Sequence, residues 1–205
     1  MCYILFSILI LSSCGSASQP NQTIDQGPFA VFLQGIELFN VADPIAVVET
    51  DQGTFAIELY KTQMPKSVEH FMQLALAERY NDSKVYESIS NFATYFGDKS
   101  GAATEATDVQ PLALETHPDI QHAVEGTVGF VHQSGVQCVN SPNKDQCAQA
   151  ALNSAKTFFY ITLAPAPSLN NSYAAFGRVV KGMQIVKNLR KGNVIQKVTI
   201  VERGV

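Results

Sequence analysis

A chain of 205 residues with 46% hydrophobic and 16% charged residues has enough apolar side chain for one sizeable core, which excludes an intrinsically disordered polymer. Its formal charge of −4 and pI near 5.5, with no local run of Lys and Arg, exclude a basic surface for phosphate backbones, so no nucleic-acid partner is expected.

The first charged residue is Asp25. Ahead of it, residues 3–11 (YILFSILIL) form an apolar run followed by small residues, the pattern of a secretory signal and its processing site. The run is well short of the roughly 20 residues that cross a bilayer as a helix, so export is expected rather than a transmembrane anchor. Leu11-Ser12-Ser13-Cys14-Gly15 resembles the lipobox of bacterial lipoproteins. That resemblance implies a signal peptide over 1–13, lipidation of Cys14, and attachment to the membrane on the periplasmic side of the cell envelope. An ordinary cleaved signal stays the alternative, because no Lys or Arg precedes the run. Gly15 is not the acidic residue associated with inner-membrane retention, which favours the outer membrane. Residues 14–43 read as a tether, small and polar over 15–23 (GSASQPNQT). Its later part, 29–40 (FAVFLQGIELFN), is apolar enough to pack on the domain or to form a short strand.

Regular signals begin at Pro44. Residues 45–50 and 54–60 are β-rich and flank Asp51-Gln52-Gly53, a hairpin turn with glycine available for positive φ. Phe55, Ile57 and Leu59 alternate with Thr54, Ala56, Glu58 and Tyr60, giving one buried and one amphipathic face. Pro65 suits a first helical position, and Val68, Phe71, Met72 and Ala75 recur at helical spacing to about Arg79. Short β segments follow at 85–89, 92–96, 112–115, 127–132, 157–163 and 173–180, then a second helix over 182–190 and a closing strand over 194–201. Many short strands with two helices predict a mainly β domain over 44–205, a barrel capped at its ends. Of the four cysteines, Cys2 and Cys14 lie in the leader. Cys138 and Cys147 bound a polar, turn-rich span that reads as a loop, and in an exported protein they are expected to form a disulfide. With only His132 nearby they supply no tetrahedral metal set, and His70, His117 and His122 are scattered, so no metal site is expected.

The order and spacing of several blocks carry a family resemblance. They are Val48-Glu49-Thr50 with Gly53-Thr54 and Ile57-Glu58-Leu59-Tyr60; Met64-Pro65-Lys66-Ser67-Val68-Glu69-His70-Phe71; Phe92 through Gly97-Asp98; Gly126-Thr127-Val128; Ser154-Ala155 through Phe159-Tyr160-Ile161; and Phe176-Gly177-Arg178-Val179-Val180-Lys181-Gly182-Met183. Residues 44–205 resemble a cyclophilin of the divergent bacterial style. The resemblance implies a closed eight-stranded antiparallel barrel with a helix at each end, a monomer, and peptidyl-prolyl cis-trans isomerase activity on proline-containing polypeptides of exported proteins, with no cofactor.

By the same resemblance Phe92, Tyr160 and Leu169 line a proline slot, Tyr173 stands where a His or Tyr usually lies, and His132 borders the groove. On strand pattern alone, Phe92 and Tyr160 read equally as barrel core. The family's Phe-His-Arg-Val is here Val85-Tyr86-Glu87-Ser88, so Glu87 occupies the catalytic arginine position; the Gln three residues after the slot Phe is Tyr95, and a later Gln is Phe158. An ionised carboxylate cannot donate to the prolyl nitrogen as its lone pair localises. Weak activity is therefore expected, with Lys84, Tyr95 or Arg178 as candidate replacements. Two other readings stay open: a non-catalytic proline-peptide-binding chaperone or adaptor of the cell envelope, and a structural lipoprotein with a vestigial groove.

Overall fold

The first hairpin shows how the chain begins to close on itself. β1 (Ile45–Thr50) pairs antiparallel with β2 (Gly53–Leu59), from Ile45 opposite Glu58 to Thr50 opposite Gly53. The Thr50 hydroxyl donates to the Gly53 carbonyl at 2.7 Å and accepts from the Gln52 amide at 3.1 Å, so one side chain closes the turn. Gly53 sits at φ 130°, where a side chain would be strained and would also strike Ile185. This computed structural model describes residues 27–97, 99–100, 106–133, 138–139 and 141–202. The signal run, Cys14 and the first part of the tether lie outside the described residues.

After β2 come α1 (Pro65–Leu76), β3 (Ser83–Lys84), β4 (Glu87–Ile89), β5 (Ala93–Phe96), β6 (Thr127–Phe130), α2 (Lys144–Leu152), β7 (Phe159–Thr162), β8 (Ala175–Lys181), α3 (Met183–Asn188) and β9 (Val194–Val201). The strands form one curled antiparallel sheet in the order β3-β9-β1-β2-β8-β6-β7-β5-β4. Val68, Phe71, Met72 and Ala75 of α1 enter its concave side, where Phe71 meets Tyr80 at 5.0 Å and Phe159 at 5.5 Å between ring centroids. Such aromatic pairs add about 0.5–1.5 kcal/mol each beyond their buried area.

The expected closed eight-stranded barrel with two helices is corrected to nine strands in an open ladder order, with three α-helices among the described residues. The segment expected as one strand over 85–89 divides. Val85 donates to the Asn193 carbonyl and accepts from the Gly192 amide, both at 2.8 Å, on the β9 side, while Tyr86 donates to the Tyr95 carbonyl at 3.1 Å on the β5 side. The chain itself, rather than a ladder, joins the two sheet ends. The strand expected over 112–115 reduces to a single bridge, Leu112 with Ala155. There the backbone turns so that the Glu115 carboxylate accepts from the Lys66 and Ser67 amides at 3.2 and 2.7 Å, capping the otherwise uncapped start of α1. α1 stops at Leu76 rather than Arg79, because Glu78 adopts φ 56°. Cys138 and Cys147 are disulfide-bonded, yet the span between them is only partly loop: α2 starts at Lys144, with the Asn143 side chain accepting from the Gln146 amide at 3.2 Å.

The mixed polar and apolar outer face of β2 is covered rather than open to solvent. Leu33, Phe29, Phe32, Ile36 and Leu38 lie across Ile45, Val47 and Ala56, so residues 27–43 form a packed strap with no strand of its own. Beneath it Glu58 is 0% exposed; its carboxylate takes Arg178 Nε at 3.1 Å and the Asn40 amide at 3.0 Å. Arg178 also donates to the Glu37 carbonyl at 3.1 Å, and Lys181 lies over the Phe32 ring at 5.1 Å.

Asp43, at 1% exposure, closes this cluster. Burial first, and the Glu58 carboxylate second, raise its pKa to about 6. A carboxyl raised in the folded state contributes stability at low pH that is lost as pH rises through the folded value. Asp43→Asn removes this dependence. Its stability relative to wild type, followed by urea denaturation, is expected to improve by on the order of 2 kcal/mol between pH 4 and pH 7.5; a pH-independent difference would contradict the assignment.

Candidate active site

Register places a row of side chains on the convex face of the sheet. Glu87 on β4 stands opposite Tyr95 on β5, Tyr95 opposite Tyr160 on β7, and Tyr160 opposite Gly129 on β6. Directly opposed residues share a face, so Glu87, Tyr95 and Tyr160 project together. Gly129 makes room: a Cβ there would come within 2.4 Å of the Tyr160 hydroxyl. The ends of loops complete the walls. Phe92 precedes β5, Val131 follows β6, Leu169 ends a single 3₁₀ turn (Pro167–Leu169), and Tyr173 precedes β8 with its amide donating to the Leu169 carbonyl at 3.0 Å. Together with Tyr86 these residues line one cleft of about 290 Å³.

The structure therefore brings Phe92, Tyr95, Tyr160, Leu169, Tyr173 and Glu87 around one cavity. Tyr160 is both wall and core, since it is 2% exposed and yet lines the cleft. His132 stands outside the lining. Its ring stacks on Tyr173 at 4.3 Å, and its nitrogens face the Gln133 and Ser172 carbonyls at 2.8 Å each, so it supports Tyr173 from behind. Lys84 and Arg178 do not reach the cleft: Lys84 pairs with Val194 on β9, and Arg178 is held by Glu58 and the strap. Phe158 packs on Tyr86 at 4.9 Å. No cluster of three His, Cys, Asp or Glu that could hold a metal occurs among the described residues.

Sequence reasoning gave His122 no role, because nothing in a loop sequence shows that its ring turns inward. It is 1% exposed. Asn170 Oδ1 accepts from both the His122 amide at 2.8 Å and Nδ1 at 3.1 Å, which fixes the tautomer. Nε2 then accepts the Tyr160 hydroxyl proton at 2.7 Å. Burial lowers the His122 pKa, opposed by the Asn170 bond, and keeps the ring neutral.

Tyr95 and Tyr160 stay protonated as well. Burial, then Glu87, then Tyr173 push Tyr95 up to about 12, and burial holds Tyr160 well above the ordinary phenol value. The cleft thus offers neutral O–H donors and aromatic faces, and Glu87 is the one acidic or basic side chain among its lining residues.

Tyr160→Phe leaves His122 Nε2 as a buried acceptor without its donor, and is expected to cost about 1–3 kcal/mol in urea denaturation. An unchanged midpoint would contradict the assigned bond. In an NMR titration, the His122 ring of the wild type is expected to titrate below the ordinary value of 6.5. Its neutral form contributes stability present above that value and lost as pH falls below it.

Comparison with known proteins agrees with this geometry. The profile of the family described as "Cyclophilin type peptidyl-prolyl cis-trans isomerase/CLD" matches residues 45–205. The chain is 30% identical over 144 residues to peptidyl-prolyl cis-trans isomerase-like 1 of Neurospora crassa, covering 69% of this chain and 78% of that protein. It is 26% identical over 148 residues to the isomerase CYP18-2 of Arabidopsis thaliana, covering 71% and 80%. Its fold is similar to that of a crystallised cyclophilin-type isomerase from Cryptosporidium parvum, with TM-score 0.65 at 19% identity over 77% of this chain and 97% of that one. A second structure of that protein, determined in the presence of the dipeptide Ala-Pro, gives TM-score 0.63 at 20% identity, covering 78% and 99%. With a family profile spanning the whole sheet and its cleft, the chain belongs to the cyclophilin-type peptidyl-prolyl cis-trans isomerases.

Proposed function

We propose that this chain is a slow prolyl isomerase that acts on proline-containing segments of exported polypeptides while held to the cell envelope by a lipid on Cys14. The observation that carries the catalytic part is the cleft itself: Phe92, Leu169 and Val131 beside the ring of Tyr160 offer an apolar seat for a pyrrolidine ring, with protonated phenols at its walls. Export and anchoring are supported by the apolar run 3–11 and the sequence ending at Cys14, and the oxidised Cys138–Cys147 pair suits an oxidising compartment.

Rotation about an X-Pro bond crosses a barrier of about 18–20 kcal/mol that comes from C–N double-bond character. A groove lowers it by seating the ring, fixing the flanking carbonyls, and donating to the prolyl nitrogen as its lone pair localises. Among the phenols of the cleft, we assign Tyr95 as the donor beside the ring. Its hydroxyl stays protonated up to about pH 12. Glu87 cannot donate while ionised. Loss of one preorganised donor costs on the order of 10²–10³ in rate, which is the expected deficit. A second reading, a proline-peptide-binding module without turnover, is favoured by Glu87.

An isomerisation assay on proline tetrapeptides separates the two. The wild type is expected to accelerate exchange above background, Phe92→Ala and Tyr95→Phe to lower kcat/KM at least tenfold, and Glu87→Arg to raise it about tenfold or more. A silent wild type that still binds the peptide by calorimetry, with binding lost in Phe92→Ala, establishes the binding module. Unchanged affinity in Phe92→Ala removes both readings.

A further inference from the structure

The cleft has a charge pattern that the proline reading does not use. Glu87 is exposed at its rim, and no ion-pair partner for it occurs among the described residues. Among the described residues, no Lys, Arg or His lines the cavity. Around this carboxylate stand tilted and crossed aromatic faces: Tyr86 and Tyr95 with centroids 5.8 Å apart, Tyr95 and Tyr160 at 6.1 Å, and Tyr173 set at 83° to Tyr160 at 6.0 Å. A negative charge beside several π faces is a cation site: a guanidinium or ammonium within about 6 Å of a ring centroid is attracted by the ring quadrupole, and a nearby carboxylate adds a Coulomb term. Glu87 stands directly opposite Tyr95 in the β4–β5 pairing and lines the same cavity, so its carboxylate is part of the cleft's own surface.

Resting on the proline-groove reading, we propose that this cleft selects proline segments with a lysine or arginine next to the proline. The ring seats over buried Tyr160, and the cationic side chain lies across Tyr95 and Tyr86 to meet Glu87. The reach is sufficient. Glu87 and Tyr160 are two ladder steps apart on one face, roughly 9–10 Å at 4.7–4.9 Å per step. One residue step of about 3.5 Å along the peptide plus an extended lysine or arginine side chain spans that distance. A glutamate at the same place meets Glu87 as a like charge.

Calorimetry on the full chain with Ala-X-Pro-Ala and Ala-Ala-Pro-X peptides, X being Lys, Arg, Ala or Glu, tests the proposal. Lys or Arg on at least one side is expected to bind five- to tenfold more tightly than Ala, with Glu weaker than Ala. The wild-type preference is expected to shrink between 20 mM and 500 mM salt. Glu87→Gln is expected to erase it and Glu87→Arg to reverse it. Equal affinity for Lys, Ala and Glu peptides on both sides overturns the proposal while leaving the proline groove intact. A Lys peptide that binds as tightly with its proline replaced by alanine overturns it too, because the cleft would then be a cation site indifferent to proline. Absence of binding by every peptide, Ala-Ala-Pro-Ala included, removes the proline groove and the proposal with it.

Discussion

The hydrogen bonds on either side of Val85 and Tyr86 hold both ends of the sheet. Val85 is bonded through its amide and its carbonyl to the turn before β9, and one residue later the Tyr86 amide is bonded to β5. The Val85 side chain is buried in the main core, so the bend cannot slide along either partner. A strand that changes partner in mid-course would leave backbone groups exposed to a dry interior, and these three bonds satisfy them. The consequence reaches the active face. Because the second half of the segment adds to β5, Tyr86 and Glu87 arrive beside Tyr95 and, through β5, beside Tyr160. The row that builds the cleft is a product of that one change of partner.

The same architecture divides the charges between two faces. On the strap side, Arg178 is fixed by the fully buried Glu58 and by the Glu37 carbonyl, and Lys181 lies on Phe32 and faces the Gln34 carbonyl. Removing Arg178 from Glu58 would leave a buried carboxylate unpaired, a change that costs about 3–5 kcal/mol in other proteins, so this cation is not free to serve elsewhere. On the cleft side the polar groups are phenols and one carboxylate. The Tyr160 hydroxyl is bonded to His122 and lies close against Gly129, and Tyr86, Tyr95 and Tyr173 are the other phenols of the lining.

Much of this was legible in the sequence, and the exceptions have physical causes. The hairpin at Asp51-Gln52-Gly53, the spacing of Val68, Phe71, Met72 and Ala75, and the aromatic strand around Phe159 and Tyr160 are local patterns whose period reports structure directly. Phe92, Tyr95, Tyr160, Leu169 and Tyr173, which the family resemblance puts at the groove, line one cavity in the structure. The division of 85–89 was not legible, since both halves are β-rich and only a partner exchange separates them. The burial of Glu58 was hidden too: alternation within β2 marks it as outward, and the strap that covers it comes from residues without period. α2 escaped notice because its helix is short, polar and largely exposed, so no apolar stripe marks it. His122 carries no sequence signal at all; its role exists only where Asn170 and Tyr160 converge.

What the cleft lacks and what it offers fit one account. A charge-assisted hydrogen bond is roughly twice as strong as a neutral one, so under the proposed function a Tyr95 phenol that donates to the developing lone pair gives only part of what a guanidinium would give. Under the same proposal, seating of the pyrrolidine ring rests on apolar contact with Phe92, Leu169 and Tyr160, which does not depend on that donor. Under the proposed function, binding and turnover are separable in this cleft. Glu87 then changes the sign of the site rather than merely emptying it. A polypeptide carrying its own lysine or arginine beside the proline brings into the cleft the positive charge that the protein does not supply, against the carboxylate that stands where that charge would otherwise be.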